Sequence, residues 1–247
     1  MASLYACDLR LRKELAALKP TAGYCVFIDV VNSVALKGGH IARWCDVMYN
    51  VVSPAMDFLR DLQGETGNVK EDDPLVQPSG LRPLKVMGDC IMFYIHKQTM
   101  PRQTFALNIF DALLNVIRVP KKVAAGERLE VHVAVTSCDD AYEVTFMPGT
   151  QDIHGKDIDL AARLVKEAGP QEIVMDERFY TEAKCNYLNW RDANVRGCED
   201  GYMQFENVEG PWTKSVKGFK EALALYKWRD PLSGRQSGRS VQQASST

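Results

Sequence analysis

The run Gly23-Tyr24-Cys25-Val26-Phe27-Ile28-Asp29-Val30-Val31 leaves a chain few choices. It is short and densely apolar, which reads as a buried strand rather than an amphipathic helix. A single carboxylate, Asp29, sits near its end, and a carboxylate taken out of water is costly unless it gains a partner. A divalent cation is one such partner, because Mg²⁺ favours one or two carboxylates completed by phosphate oxygens. Capping of a following helix is the other, and the residue alone does not choose between them. The segment from Val30 to Val34 would turn into that helix and offer backbone N–H groups to a phosphate.

A second constraint is LKVMGDCIMFYIH (residues 84–96), two apolar strands joined by a tight Met-Gly-Asp turn. Asp89 lies at its tip. Gly-Asp is common turn chemistry, so Asp89 becomes informative only if the fold carries it to Asp29.

The other segments arrange themselves around these two. Residues 8–18 predict a short helix stopped by Lys19-Pro20, and 42–62 a longer one that tolerates Pro54 with a kink. Residues 64–83 are rich in Gly, Pro, Asp and Glu and read as a loop or insertion. Apolar spacing predicts a helix over 104–119, a strand over 129–137 with 142–147 as its partner, and a helix from Asp157 to the Gly169-Pro170 stop. A strand opens 171–180 before another helix begins, and 203–228 contains one more strand-like stretch. The order predicts an α+β fold: a ferredoxin-like βαββαβ core, helices on one face of an antiparallel sheet, with additional strands and helices. The expected organisation is an N-terminal helix over 1–20, one domain over 21–230, and a polar, disordered tail over 231–247.

Composition narrows the function classes. A net charge of −2 over 247 residues gives no field for nucleic acid or an acidic membrane. Any site for an anionic substrate must be local, built from a few Lys and Arg. Seven widely spaced cysteines, with no CxxC, suggest neither a zinc site nor a disulfide framework and fit a reducing compartment. His40, His96, His132 and His154 have no metal-binding spacing; His132 reads as core, and His154 as either a surface residue or a substrate contact. No stretch approaches the roughly 18 apolar residues of a membrane span. The expectation is a soluble, cytoplasmic protein.

A third element is QDIHGKDIDLAARL (residues 151–164), in which Asp159 and Arg163 share one helical face. They read either as a surface ion pair or as a site where Arg163 neutralises charge growing on a reacting phosphate.

FIDVVNS, LKVMGDCIMFYI and DIHGKDIDLAARLV, in this order, resemble the F-x-D-I-x-G-F-T, K-x-x-G-D-x-x-M-x-x-F and D-x-x-G-x-x-V-N-x-A-x-R motifs of the class III adenylate and guanylate cyclases. VKGFKEALALYKW is similar to the lysine-glycine strand near that family's C-terminal end. The resemblance implies two Mg²⁺ or Mn²⁺ ions held by Asp29, Asp89 and the carbonyl of Val30. It implies that Arg163 stabilises the transition state, with Lys217 or Lys220 reaching a terminal phosphate and the Ser33 turn binding the triphosphate. Lys85 and Asp152 occupy the places that read adenine, which literally predicts ATP. In this family one subunit gives the aspartates and the other the arginine, so a homodimer with two interfacial sites is implied. Two departures stand out: Asp159 replaces an Asn, and Asn32-Ser33-Val34 replaces Gly-Phe-Thr.

The GxDIDLxARL pattern and the bare catalytic domain look most like the bacterial pyrimidine cyclases of anti-phage defence. That likeness implies cyclic UMP, or cyclic CMP, as a messenger for a separate effector. A smaller base needs a bulky filler, and Tyr49 offers one unless it is a core aromatic. Lyase activity on UTP is favoured over CTP and ATP. A catalytically dead dimerisation module, and an unrelated two-metal phosphotransferase of the polymerase-palm kind, are the competing readings.

Overall fold

The computed structural model describes residues 19–37, 42, 44–51, 83–97, 105–118, 129–144, 152–193 and 204–230. The helix expected over 8–18, the part of the 42–62 helix beyond 51, the 64–82 stretch and the tail from 231 lie outside them.

Among the described residues eight strands form one sheet: β1 (Thr21–Val30), β2 (Pro83–Met87), β3 (Cys90–His96), β4 (Val131–Val144), β5 (Asp152–His154), β6 (Glu172–Asp176), β7 (Glu209–Lys214) and β8 (Leu223–Arg229). The order is β2-β3-β1-β4-β6-β8-β7, with β5 paired to β4. The four leftmost strands are antiparallel neighbours, the ferredoxin-like core expected from the sequence; β6 then adds to β4 in parallel. The helices are α1 (Ser33–Lys37), α2 (44–51), α3 (Phe105–Arg118), α4 (Lys156–Leu164) and α5 (Glu177–Ala193).

Alternation along β1 divides the core. Tyr24, Val26, Ile28 and Val30 face one side, where Val47 and Val51 of α2, Leu107, Phe110 and Leu114 of α3, Phe179 of α5 and Trp228 of β8 close over them. Cys25 and Phe27 face the other side, covered by Ile158, Ala161 and Leu164 of α4. Truncating Phe110, fully buried in the first layer, would cost about 3–5 kcal/mol.

Two expectations are corrected here. The helices do not share one face, because α4 lies opposite α3 and α5. Residues 142–144 are not a partner strand but the continuation of β4, whose real partner is β5, with Tyr142 opposite His154. Asp139 and Asp140, between the two expected strands, stay extended within β4.

Candidate active site

Asp29 is the penultimate residue of β1 and belongs to the α4 face, by the same parity as Cys25 and Phe27. Its register partners are Cys90 on β3 and His132 on β4. The β2–β3 hairpin closes on two residues, Gly88 and Asp89, with Met87 opposite Cys90. Gly88 has φ 68, the conformation that a type II′ turn demands at its first position and that glycine adopts without cost. This turn holds Asp89 beside the end of β1: its carbonyl accepts from the N–H of Val30 at 3.2 Å. The buried Ser33 hydroxyl at the start of α1 donates to the Asp89 carboxylate. Asn32, at φ 54, makes the bend that brings Ser33 round. The two aspartates therefore meet at one end of the sheet, as the sequence reading required.

The electrostatics of this end are short of positive charge. Burial pushes the Asp29 carboxyl above its ordinary value, the Asp89 charge pushes it further, and His132 and Lys166 only partly offset this. Burial also pushes the Cys90 thiol up to about 12, with the charges of Asp29 and Asp89 adding to it, so Cys90 stays protonated. A like-charged carboxylate pair in a half-buried setting is an arrangement that a divalent cation relieves. Among the described residues no group of three or more His, Cys, Asp or Glu side chains is placed to hold a metal. The donor set that fits is thus two carboxylates and the Val30 carbonyl, completed by water or phosphate oxygens, as Mg²⁺ and Mn²⁺ accept.

Arg163 sits in the last turn of α4. It is half-buried, and its Nε is shielded from solvent without a hydrogen-bond partner. Such an orphaned donor normally costs 1–3 kcal/mol, so it calls for an explanation. The guanidinium lies against Gly218 of the β7–β8 loop; a Cβ there would stand 3.6 Å from Nη2. That loop carries the exposed Lys217 and Lys220. Asp159 is exposed and makes no ion pair with Arg163, so the simple surface pair that their spacing allowed does not form.

Lys85 and Asp152, 67 positions apart, do meet: Nζ to Oδ2 is 2.5 Å. Burial raises the Asp152 carboxyl, but the Lys85 hydrogen bond, the Ile153 N–H and the charges of Lys85 and His154 outweigh it and leave it below its ordinary value. His154 Nε2 stands 3.3 Å from the same oxygen. Tyr49 is not a core aromatic. It is 70% exposed on α2, turned away from the buried Val47 and Val51. Val34, Val86 and Met87 join it as exposed apolar groups.

Three features were not legible beforehand. His132, expected in the core, is half-buried, and its Nδ1 bonds the Ala168 carbonyl at 2.6 Å. Asp140 accepts from the N–H groups of Lys156 and Asp157 and so caps α4 from a neighbouring strand. Arg178 gathers Asp139, Asp157 and Asp176. An arginine in the first turn of a helix, opposing the helix dipole, was the one available signal for the last.

Neither a protein-family model nor a curated protein matches the chain. Solved structures do. The adenylyl cyclase CyaB from P. aeruginosa superposes with a TM-score of 0.61 at 16% identity, over 86% of this chain and 96% of that one. The guanylate cyclase domain of RhGC from Catenaria anguillulae, solved in complex with GTP, gives 0.59 at 13% identity over 85% and 98%. The guanylyl cyclase Cya2 gives 0.56 at 13% identity over 87% and 97%. At these identities the likeness is one of fold: a mixed α+β domain with the central sheet of the cyclase catalytic domains. No described helix is long and apolar enough to cross a membrane.

Proposed function

We propose that this chain is a nucleotidyl cyclase that converts UTP to 3′,5′-cyclic UMP and pyrophosphate. It acts as a homodimer with two sites, each shared between the subunits. The observation that carries this reading is the meeting of Asp29 and Asp89 at one end of a cyclase-type sheet, in a setting that raises Asp29.

In the reaction the ribose 3′-oxygen bonds to the α-phosphorus, the bond from that phosphorus to the β-phosphate bridge breaks, and pyrophosphate leaves. The hydroxyl proton passes to solvent. Asp29, Asp89 and the Val30 carbonyl would hold two Mg²⁺ or Mn²⁺ ions, which supply a more acidic 3′-hydroxyl and a clamp on the triphosphate. Ser33 orients the Asp89 carboxylate, and the turn after β1 presents N–H groups to the phosphates. Arg163 comes from the partner copy and neutralises charge on the reacting phosphoryl group. Its unpartnered Nε supports a role outside its own chain. Lys217 or Lys220, on the loop that touches Arg163, reaches the terminal phosphate. Asp159 accepts from a ribose hydroxyl. The exposed Val34, Tyr49, Val86 and Met87 lie on the surface that the partner and the base cover.

Lys85 and Asp152 form a donor–acceptor pair that suits uracil O4 and N3–H, with Tyr49 filling the room a purine would take. The same pair suits adenine N1 and its amino group, so adenylate cyclase is the second reading. The domain spans 21–230, and the product would act on a separate cyclic-nucleotide-binding effector, in the manner of bacterial antiviral signalling.

Purified protein with Mn²⁺ is offered ATP, GTP, CTP and UTP separately. Cyclic UMP and pyrophosphate from UTP alone support the proposal, and turnover of ATP alone moves it to the second reading. Inertness toward all four supports a dimerisation module instead. Tyr49→Ala is expected to narrow the preference among the bases by about tenfold, the worth of a lost apolar contact. Unchanged selectivity removes Tyr49 from base recognition.

A further inference from the structure

An arginine at the second position of a helix is poorly placed for that helix, because the N-terminal end of the dipole repels cations. Arg178 occupies this position in α5. What keeps it there comes from outside. Nη1 reaches Asp139 Oδ2 at 2.9 Å, and Nη2 donates to the Ser137 carbonyl at 2.5 Å, both on β4. Nη2 also pairs with Asp157 Oδ2 at 2.5 Å, in the first turn of α4, and Nε faces Asp176 Oδ2 at 3.5 Å. One guanidinium therefore ties three carboxylates from β4, α4 and the end of β6.

The tie falls on the end of α4 that other contacts also fix. The Asp139 N–H donates to Asp157 Oδ2 at 3.2 Å, and Thr136 Oγ1 donates to the Asp157 carbonyl at 3.1 Å. Asp140 caps the helix, and Gly155 lies so close to the Asp140 carbonyl, 2.5 Å from where a Cβ would be, that any side chain there would push the helix off. The other end of this nine-residue helix carries Arg163, which lies against Gly218 and whose Nε is unsatisfied. Leu160, Ala161 and Leu164 seat the length of this helix on the sheet, the bonds at its first turn fix where it begins, and Arg163 rides on the resulting rigid rod about 13 Å long.

We propose that Arg178 is a positioning residue for Arg163: by clamping Asp157 to β4 and β6 it aims α4, and with it the arginine that each subunit presents to its partner's site. This rests on the shared-site reading above. Misplacement of a transition-state group by about 1 Å costs on the order of a hundredfold in rate. Asp29 and Asp89 lie at the other end of β1 from Tyr24, the register partner of Ser137, so the metal-holding acids stay in place and the main loss falls on kcat. Lysine, without the planar fork, restores the clamp in part.

The test uses full-length variants, Mn²⁺ and an equimolar mixture of the four ribonucleoside triphosphates, with pyrophosphate release as readout, so that the choice of base does not matter. R178M is expected to lower kcat by about 10- to 100-fold with KM within about twofold, and R178K to recover part of the loss. Differently tagged subunits are then co-expressed as mixed dimers. Paired with D29N, R178M supplies the intact metal-holding half, and half of wild-type activity returns. Paired with R163A it does not, because both partners are defective on the same face. Equal recovery, or equal failure, with the two partners overturns the proposal. The pair R163A with D29N must itself recover activity, and its failure refutes the shared site rather than the role of Arg178. In that event amide exchange decides: protection lost over 157–164 in R178M and partly regained in R178K, with β1 and β3 unaffected, supports the clamp, and unchanged protection in R178M overturns it.

Discussion

Asp29 and Glu172 stand in one row across the sheet, with His132 between them as register partner of both. Each is a carboxylate near the end of an apolar strand, on the face that α4 covers, and their environments differ in one respect. Glu172, 1% exposed, accepts from the Gly169 N–H at 2.7 Å, Arg229 Nε at 2.6 Å and Lys227 Nζ at 2.8 Å. Burial raises its carboxyl, but Lys227, Gly169 and Arg229 outweigh this and hold it below the ordinary range. Asp29 has Asp89 as its near neighbour and is raised. The sheet bonds one carboxylate to two cations and sets the other against a second acid that His132 and Lys166 only partly offset. A buried acid with its counter-ions in place is structural; one faced by a second acid is in the setting that a cation would relieve.

The comparison is most exposed to a pair of isosteric substitutions. Asp29→Asn removes a metal-holding charge, and turnover of the preferred nucleotide is expected to fall by about a thousandfold, the scale on which electrostatic groups contribute. Its thermal midpoint in metal-free buffer is expected to hold or rise, because the like-charge contact with Asp89 is gone. A falling midpoint would make Asp29 a structural residue. Glu172→Gln does the reverse. It strands Lys227 and Arg229 against an amide, and is expected to cost about 3 kcal/mol of stability in denaturant titration while turnover per folded chain stays within a few-fold. Intact stability would show that the three bonds to Glu172 contribute nothing net.

Metal addition sharpens the same contrast. Mn²⁺ at a hundred times its dissociation constant stabilises a folded binder by about 2.7 kcal/mol. That gain is expected in the wild type and in Glu172→Gln and absent in Asp29→Asn, read as a shift in thermal midpoint. A gain preserved in Asp29→Asn places the ion elsewhere.

How much of this was legible in the sequence follows from how local each cause is. The apolar run ending in Asp29 and the Gly88-Asp89 turn are settled within a few residues, so β1 and the hairpin stood out. Their meeting follows from the order of elements, since β3 is the neighbour of β1 in a ferredoxin-like core. The face taken by α4 is different in kind. It depends on Asp140, Asp157 and Arg178, whose bonds between α4, α5 and β4 span 16 to 41 positions. The same holds for β4. Asp139 and Asp140 look like a turn because both are turn formers, but their side chains are engaged by Arg178 and by the α4 N–H groups, and that keeps the strand running. A single strand-like stretch was expected over 203–228, where β7 and β8 pair around a bulge between Glu209 and Trp212 that disturbs the alternation. Arg163 shows only an orphaned donor, which no pattern of residue types records.

The smallest effect, and the most specific, is in pH. A raised carboxyl favours the folded state while it is protonated, so the Asp29 contribution is full below about 3.8 and is lost as pH rises through its elevated value. A lowered carboxyl behaves oppositely: the Glu172 contribution is full above about 4.5 and is lost as pH falls through its depressed value. Metal-free stability curves of the two variants should therefore part from wild type on opposite sides. Asp29→Asn is expected to match the wild type in acid and exceed it at neutral pH, by about 1 kcal/mol for each unit of upward shift. Glu172→Gln is expected to fall furthest below the wild type at neutral pH and to approach it in acid. If the two differences instead ran in parallel with pH, the environments of the two carboxylates would be alike, and the charge deficit that marks Asp29 and Asp89 as a cation site would be gone.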